Sequence, residues 1–415
     1  MAGKSRTGVF YGWVIVAAGC LILALQWGCQ YTYGVFFTEL CSELGWTRAM
    51  VSGAYSLLFL WHGVIYFVAG SLNDRYGPRL TLAISAVIMS IGYALMSIVN
   101  APWQLYIFYG IILGTGLGFG YLSVASTVSH WFVKGRGVAL GFTVAGGGVG
   151  TLALAPFAQF LITKFDWRTS YLILAALLAV IVLPVSRLMR LEPSEKGLLP
   201  YGIEAIEAQN RHGGLLSTTA FTARQAAKTE AFWLLFALYA FLDFSVQMVM
   251  IHLDAYAKDV GIAPMLAATI LGVVGGGSIF GKIAVGGISD KIGRKRSFFI
   301  CFLLMAMMML WLTETRQAWQ FYLFSALFGF SYGGCIPLFP AASADWFGTK
   351  FHGTIFGFIS LSCGIGGSIG PLLAGYIFDT RGSYELAIII AAVTLFIAMG
   401  LSLVIKVPQA QNPSQ

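Results

Sequence analysis

Long apolar stretches alternate with short polar segments along this 415-residue chain. Twelve stretches can be distinguished, at roughly 12–39, 49–72, 80–99, 103–130, 137–162, 167–189, 230–256, 262–288, 297–314, 317–344, 353–377 and 384–406. Each is close to or longer than the ~20 residues that an α-helix needs to cross a bilayer. The pattern therefore predicts an all-α membrane protein with twelve transmembrane helices.

The longest polar segment separates the sixth apolar stretch from the seventh. It contains Pro193, Pro200, Gly213 and Gly214 together with several charged residues, a composition typical of a connection rather than a membrane span. We therefore predict an N-terminal six-helix bundle at 1–189, a linker at 190–228 with some amphipathic helix, and a C-terminal six-helix bundle at 229–415.

The two predicted bundles share motifs at a nearly constant spacing. The segment 70–79, GSLNDRYGPR, recurs 216 positions later as 286–295, GGISDKIGRK. The Trp131-Phe132 pair recurs 215 positions later as Trp346-Phe347. Matching motifs at nearly one offset indicate an internal duplication, and a repeat of this kind places a binding site near the middle of the membrane, between the halves.

Composition and charge indicate the class of protein and the side of the membrane on which its termini lie. Hydrophobic residues make up 58% of the chain and charged residues only 10%, whereas a soluble protein carries about a quarter charged residues. Of the 25 Lys and Arg residues, 18 fall on the side of the termini. Because cytoplasmic loops are enriched in Lys and Arg, we expect a multi-pass protein of a cell membrane, the inner membrane in a bacterium, with both termini and the linker cytoplasmic. The net charge of +8 then requires no nucleic-acid partner.

Several chemistries find no support in the sequence. The six cysteines lie mostly inside apolar stretches, without paired spacing or a metal-ligand pattern. The glycine-rich segments also lie inside apolar helices, where they allow close helix packing rather than phosphate binding. Because no nucleophile–base pair stands out, we expect neither an enzyme nor a cofactor or metal.

One cation interrupts an apolar, glycine-rich span. Lys282 lies eight residues before Asp290, about 12 Å along a helix and therefore near the middle of the bilayer. An ammonium group at this depth is costly, which makes it a candidate functional residue. The alternatives are a structural lysine paired with an acid, or a side chain that snorkels to the interface.

Two further ionisable residues lie near mid-span. Asp243 is a candidate proton carrier that would ionise beside Lys282 and take a proton when a substrate anion replaces it; the alternative is a polar group that bonds a neighbouring helix. His62 is an auxiliary proton site or a packing histidine. Nearer the end of the seventh span, His252 and Asp254 are expected in a vestibule.

Together these features resemble the major facilitator superfamily along the whole chain: twelve spans in two six-helix pseudo-repeats, with an acidic-basic loop after the second span of each half. Within it, three segments resemble the branch of monocarboxylate and oxalate/formate carriers. They are Tyr11-Gly12-Trp13, Gln30-Tyr31-Thr32-Tyr33 and His130-Trp131-Phe132-x-Lys134-x-Arg136-Gly137. The first loop departs from the superfamily pattern at Pro78.

The resemblance implies a substrate site. Lys282 occupies the position of a substrate-binding arginine, and lysine offers a point charge in place of a bidentate fork. The other implied substrate-facing residues are Gln30, Tyr31, Tyr121, Tyr332 and Cys363, although each tyrosine could equally serve core packing. Oxalate exchangers carry a second cation at the Cys363 position, so this chain is expected to favour monocarboxylates. Gly147, where relatives carry a larger residue, is expected to widen the site.

The charged loops imply gating. Asp74 with Arg75 and Arg79, and Asp290 with Arg294, are expected to latch helix ends across the cytoplasmic face in one conformation. The alternative is a role in topology alone.

The function implied is secondary transport of a small monocarboxylate such as lactate, pyruvate or propionate, in symport with a proton and by alternating access. The expected protein is a monomer whose partners are this substrate, a proton and the lipid bilayer. One alternative is a carboxylate exchanger of the oxalate/formate type. Another is a transporter-like carboxylate sensor, for which a partner domain or a long tail is expected; nine residues follow Lys406.

Overall fold

The computed structural model describes residues 10–132, 136–202, 221–348 and 352–406, and in them twelve helices are long and apolar enough to cross a membrane. The predicted number of spans is thereby confirmed. In the N-terminal half they are α1 (Tyr11–Leu44), α2 (Arg48–Tyr76), α3 (Pro78–Met96), α4 (Pro102–Leu105, Tyr106–Leu113 and Gly114–Trp131), α5 (Arg136–Lys164) and α6 (Trp167–Ser186). In the C-terminal half they are α7 (Glu230–Asp259), α8 (Pro264–Ile292), α9 (Arg294–Thr313), α10 (Ala318–Phe347), α11 (His352–Arg381) and α12 (Glu385–Val404).

The two halves repeat the same helical plan. The helices α2, α3, α4 and α5 begin 216 positions before α8, α9, α10 and α11, respectively. Gly77 ends α2 with φ 76° and Gly293 ends α8 with φ 88°, a backbone conformation that glycine adopts most easily. Pro78 occupies the first position of α3, where a missing N–H costs nothing, so the departure at this residue leaves the turn intact.

Successive spans alternate in direction, so both described ends of the chain lie on one face, which we call the terminal face; the opposite one is the distal face. The first span is interrupted near its middle, because α1 consists of the segments Tyr11–Tyr31 and Tyr33–Leu44 joined at Thr32. The Thr32 hydroxyl bonds the Cys29 carbonyl oxygen at 2.6 Å. Gln30 and Tyr31 therefore lie in the last turn before a break in the helix.

The halves meet along two seams, α5 with α8 and α2 with α11. In the distal part of the first seam, Gly275 approaches both Thr151 and Gly148 so closely that a side chain would collide. Toward the terminal face, Gly141 of α5 and Gly286 of α8 have open space where a side chain would begin.

The second seam behaves in the same way. A Cβ added at Gly375 would collide with Ser52, and one added at Gly367 would collide with Phe59. Gly63 and Gly357, nearer the terminal face, have open space on the side where a Cβ would lie. The two halves are therefore packed together in the distal part of the membrane and separate toward the terminal face.

Two linker residues, one on each side of 203–220, bond the repeated Trp-Phe turns. The backbone N–H of Tyr201 donates to the Trp131 carbonyl oxygen at 2.9 Å, and that of Phe221 donates to the Phe347 carbonyl oxygen at 3.0 Å. The intervening residues 203–220 lie outside the part that the structure describes, so the boundaries 190–228 stay a prediction.

Candidate functional site

Lys282 lies on α8, ten residues before the helix ends at Ile292, about 15 Å along the axis. Its side chain is half-buried, and its Nζ is 3.5 Å from the backbone carbonyl oxygen of Val144 on α5. Among the described side chains no acid forms an ion pair with it. The ammonium group therefore faces the other half of the protein, where the α5–α8 seam begins to open.

Two aromatic side chains pack near Gly147, three residues after Val144 on α5. The Trp27 indole occupies the space beside Gly147, so that a Cβ at this glycine would overlap the ring. On its other side Trp27 packs against Tyr121, with ring centroids 5.2 Å apart. Trp27 thus occupies the space beside Gly147, and the expectation that this glycine widens the site stays a prediction.

Asp243 is buried on α7, with 7% of its surface exposed. Its Oδ1 accepts a hydrogen bond from Gln247 Nε2 at 3.1 Å, and the Cys363 thiol of α11 lies against the carboxyl group. Cys363 also lies against the Tyr239 hydroxyl. Two of the predicted site residues, Asp243 and Cys363, are thus in contact.

The structure does not bring Asp243 and Lys282 together. In the described part of the chain the polar neighbours of Asp243 are Gln247, Cys363 and several tyrosines, whereas the hydrogen-bond acceptor of Lys282 is the Val144 carbonyl. The expected direct pairing of the two side chains is therefore absent. Any coupling between them must act across the cavity.

The remaining predicted cavity residues come from both halves. Tyr31 of α1 lies against Tyr332 of α10, and Tyr31 also lies against Gln247. Gln30 is buried and its Nε2 donates to the Tyr55 hydroxyl at 3.4 Å. These contacts place Gln30, Tyr31 and Tyr332 near Asp243. Tyr121 lies between Trp27 and the pair Tyr66 and Cys363.

His62 lies in an aromatic environment on α2. Its ring is 4.3 Å from the Tyr66 ring and 6.0 Å from the Phe59 ring, centroid to centroid. The buried Nε2 atom has no hydrogen-bond partner. No hydrogen bond of the described residues joins this atom to Asp243, and the proton role of His62 stays a prediction.

The charged loops make contacts within their own halves. Arg79 Nε donates to the Met189 carbonyl oxygen at 3.0 Å. Arg294 pairs with Asp345 at 3.0 Å and donates to the Ser289 hydroxyl. Arg75 is exposed and stacks over the Tyr76 ring. The side chains of Asp74 and Asp290 lie outside the described residues, so the expected latch at this face stays a prediction.

A latch that the sequence did not predict closes the distal face. The two Arg48 guanidinium nitrogens Nη1 and Nη2, on α2, each bond an Asp259 carboxylate oxygen of α7 at 2.7 Å. Nη1 also donates to the Tyr384 hydroxyl at 2.6 Å. The Asp379 carboxylate of α11 accepts from the backbone N–H groups of Arg48 and Ala49, at 2.9 and 2.7 Å. We call Arg48, Asp259, Asp379 and Tyr384 the distal latch.

Two residues expected in a vestibule are instead buried behind this latch. His252 is 4% exposed and bonds both the Tyr384 hydroxyl and the Pro371 carbonyl oxygen at 2.9 Å. Asp254 is 0% exposed and pairs with Lys258 at 2.8 Å. Lys258 Nζ also donates to Thr38 of α1 at 3.1 Å, so this second ion pair likewise joins the halves.

These latch residues gave no signal in the sequence, because charges at span ends have the pattern of solvated loops.

No group of three or more His, Cys, Asp or Glu side chains in the described ranges could hold a metal ion.

Comparison with known proteins identifies the family. The Major Facilitator Superfamily model matches residues 16–286 and 233–415. A monocarboxylate transporter 13 of Bos taurus is 25% identical over 94% of this chain and 88% of its own length. An oxalate:formate antiporter of Oxalobacter formigenes is 24% identical over 97% of this chain and 93% of its own.

A solved structure shares the fold. A bacterial homolog of the human lysosomal transporter Spinster, in an inward-facing and unoccupied conformation, superposes with a TM-score of 0.73 at 15% identity over 97% of each chain. The superfamily and branch resemblance predicted from the motifs is confirmed, as are the fold and the absence of enzyme chemistry. The chain belongs to the major facilitator superfamily, and it is a multi-pass secondary transporter rather than an enzyme.

Proposed function

We propose that this protein transports a small monocarboxylate together with a proton. The observation that carries the proposal is the Lys282 ammonium, which lies mid-membrane at the opening of the α5–α8 seam without an ion-pair partner among the described residues. A cation left unpaired at this depth is costly unless an anion binds there. The names of the relatives, monocarboxylate transporters and an oxalate:formate antiporter, agree with an acid anion as substrate.

The lining favours one carboxylate over two. On the Asp243 side the cavity presents Cys363, Gln30, Tyr31 and Tyr332, which supply no positive charge. The second carboxylate of a dianion would remain without a cation in a low-dielectric site, at a cost of several kcal/mol. Tyrosine hydroxyls can donate to the single carboxylate of a monoanion while their rings exclude water.

Charge balance couples the proton to the substrate. The empty site holds Lys282 positive and Asp243 negative, and the fully loaded site holds a carboxylate on Lys282 and a proton on Asp243. Both states are neutral overall. A site with only one of the two ligands carries a net charge, and moving that charge through a low-dielectric seam is unfavourable. The two residues need no direct contact for this coupling.

Alternating access follows from the two seams. In this conformation the distal latch is closed, and the halves separate toward the terminal face. We propose that the terminal face is cytoplasmic, since it receives most of the Lys and Arg residues. The conformation is then open to the cytoplasm, and rocking of the halves would break the latch and expose the same site to the outside.

The test is uptake of labelled lactate, pyruvate and propionate into proteoliposomes, with and without an inward proton gradient. Proton-coupled symport predicts accumulation driven by the pH step alone. The alternative, a carboxylate exchanger of the oxalate/formate type, predicts counterflow without such uptake. Failure of the wild-type protein to move any monocarboxylate in either assay would overturn the proposed function.

A further inference from the structure

A chain of hydrogen bonds crosses between the halves and ends on Asp243. The Gln30 amide donates to the Tyr55 hydroxyl oxygen at 3.4 Å. The Tyr55 hydroxyl, on α2, donates to Gln247 Oε1 on α7 at 3.0 Å. The Gln247 amide then donates to Asp243 Oδ1 at 3.1 Å. All three donors are buried.

Every hydrogen in this chain points toward the carboxyl group. Successive bonds aligned in one direction polarise one another, and donors directed at a carboxyl group favour its ionised form. The Gln247 side chain holds a fixed orientation, because its oxygen accepts a hydrogen bond from Tyr55 while its nitrogen donates one to Asp243. Tyr55 thereby acts on Asp243 through Gln247.

The other groups around Asp243 do not supply a competing charge. The titratable side chains that face it are Tyr31 of α1, Tyr55 and Tyr66 of α2, Tyr239 of α7 itself, Tyr332 of α10 and Cys363 of α11. Tyrosines and thiols in apolar surroundings are neutral near pH 7. None of these described neighbours is a cation. Burial therefore opposes the ionised form of this carboxyl group, and the hydrogen-bond donors support it.

The Tyr55–Gln247 bond is present in this conformation, in which the distal seam is closed. Tyr55 lies on α2 between Ser52 and Phe59, the two residues that pack against Gly375 and Gly367 of α11. Parting of the halves at the distal face would withdraw Tyr55 from Gln247, because the two belong to different halves.

Resting on the proposed proton-coupled function, we propose that Tyr55 and Gln247 are positioning residues that make Asp243 release its proton when the distal face is closed and allow it to bind one when that face opens. The proton leaves the carboxyl group for water in the cavity on the terminal side. The carrier thereby takes up protons on one face and delivers them on the other.

The experiment uses the full-length protein in proteoliposomes with labelled lactate. Net uptake is measured against internal pH at a fixed external pH, beside lactate counterflow, which returns a loaded carrier and needs no proton release. For Tyr55→Phe we expect net uptake to fall on the order of tenfold, the effect of weakening one bond to a charged group. Because Asp243 would hold its proton more tightly, the internal pH for half-maximal uptake should rise by about one unit, with counterflow largely kept.

Tyr33→Phe is the matched control. The Tyr33 ring stacks on Tyr55 at 5.6 Å, and its buried hydroxyl donates to the Val51 carbonyl at 2.8 Å, a bond that does not continue to Asp243. Its internal-pH profile should match the wild type. Identical profiles for Tyr55→Phe and Tyr33→Phe would overturn the inference while leaving lactate transport itself in place.

Gln247→Leu provides a second variant, which decides the matter if Tyr55→Phe fails to fold. It removes the donor that reaches Asp243 directly, so its shift should be at least as large. An unshifted profile with active counterflow would overturn the inference. If the wild-type protein transports no lactate at all, that result would instead refute the proposed function on which the inference rests.

Discussion

Two cations in the spans of this protein have opposite surroundings. Arg48 at the distal face is bound bidentately by Asp259, bonded to Tyr384 and stacked on Phe378 at 3.7 Å from its centroid. Lys282 at mid-depth has a single carbonyl oxygen at 3.5 Å, and no ion pair in the described structure.

We interpret this difference as that between a structural charge and the charge proposed to bind the substrate. The contacts of Arg48 are complete without a ligand, so its role is to hold two halves together in one conformation. Those of Lys282 are incomplete, and a desolvated cation with an unmet charge favours binding of an anion. The two cations differ in depth, and they also differ in having or lacking an acidic partner among the described residues.

The largest effect is expected when the unpaired charge of Lys282 is removed. Lys282→Ala should reduce lactate uptake and counterflow by roughly a hundredfold, because a charge-assisted interaction with the substrate is lost. Lys282→Arg keeps the charge and should retain binding. Lys164→Ala, at the distal end of α5, is the matched control and should transport normally. Undiminished binding of lactate by Lys282→Ala would contradict the assignment.

The second largest effect on uptake is expected from Asp243, whose charge is proposed to balance that of Lys282. Asp243→Asn is permanently neutral, so net uptake driven by a pH step should fall by about tenfold or more, since no proton is released in the cycle. Counterflow should continue. The measurement compares uptake at several external pH values with exchange at symmetrical pH. An Asp243→Asn protein whose uptake still follows the proton gradient would refute the coupling role.

Removing the Arg48–Asp259 ion pair should shift the equilibrium between the two conformations of the carrier instead of abolishing substrate binding. Arg48→Ala removes the ion pair with Asp259 and the bond to Tyr384, so the population open at the distal face should rise by about tenfold. Cys363, retained as the sole cysteine, reports the shift through its labelling by a membrane-impermeant maleimide from the distal side.

The control for this shift is Arg316→Ala. Arg316 lies at the distal face and bonds Tyr256 and nearby carbonyls of its own half, so its loss should leave the labelling rate unchanged. Equal labelling rates for the wild-type protein and Arg48→Ala would show that the distal latch does not hold the seam closed.

The smallest effect is expected from Gly147→Ala, which tests whether the Trp27 side chain shapes the proposed substrate site. Gly147→Ala adds a methyl group where Trp27 lies, so the indole must shift, and we expect this shift to narrow the proposed substrate site. We expect the KM for propionate to rise several-fold, in line with an overpacking cost of about 1–3 kcal/mol. Adding Trp27→Phe should restore the KM. A Gly147→Ala protein with unaltered KM would show that this wall does not shape the site.

Local sequence patterns were sufficient for much of this protein. Apolar length alone located twelve spans, and the constant 216-residue offset anticipated the repeated helix starts, because both depend on neighbours along the chain. Counting from the loop at Asp290 placed Lys282 at mid-depth, since a helix rises by a fixed amount per residue. The charge and the depth of the candidate site were therefore encoded locally.

Only the tertiary structure decided which side chains meet. Arg48 and Asp259 are 211 positions apart, and hydropathy cannot tell a solvated span end from an ion pair between halves. The same limit explains why Asp243 was expected beside Lys282 and instead contacts Gln247 and Cys363. Helix rotation and the closing of one seam determine these contacts, and both arise from packing between helices that are remote in sequence.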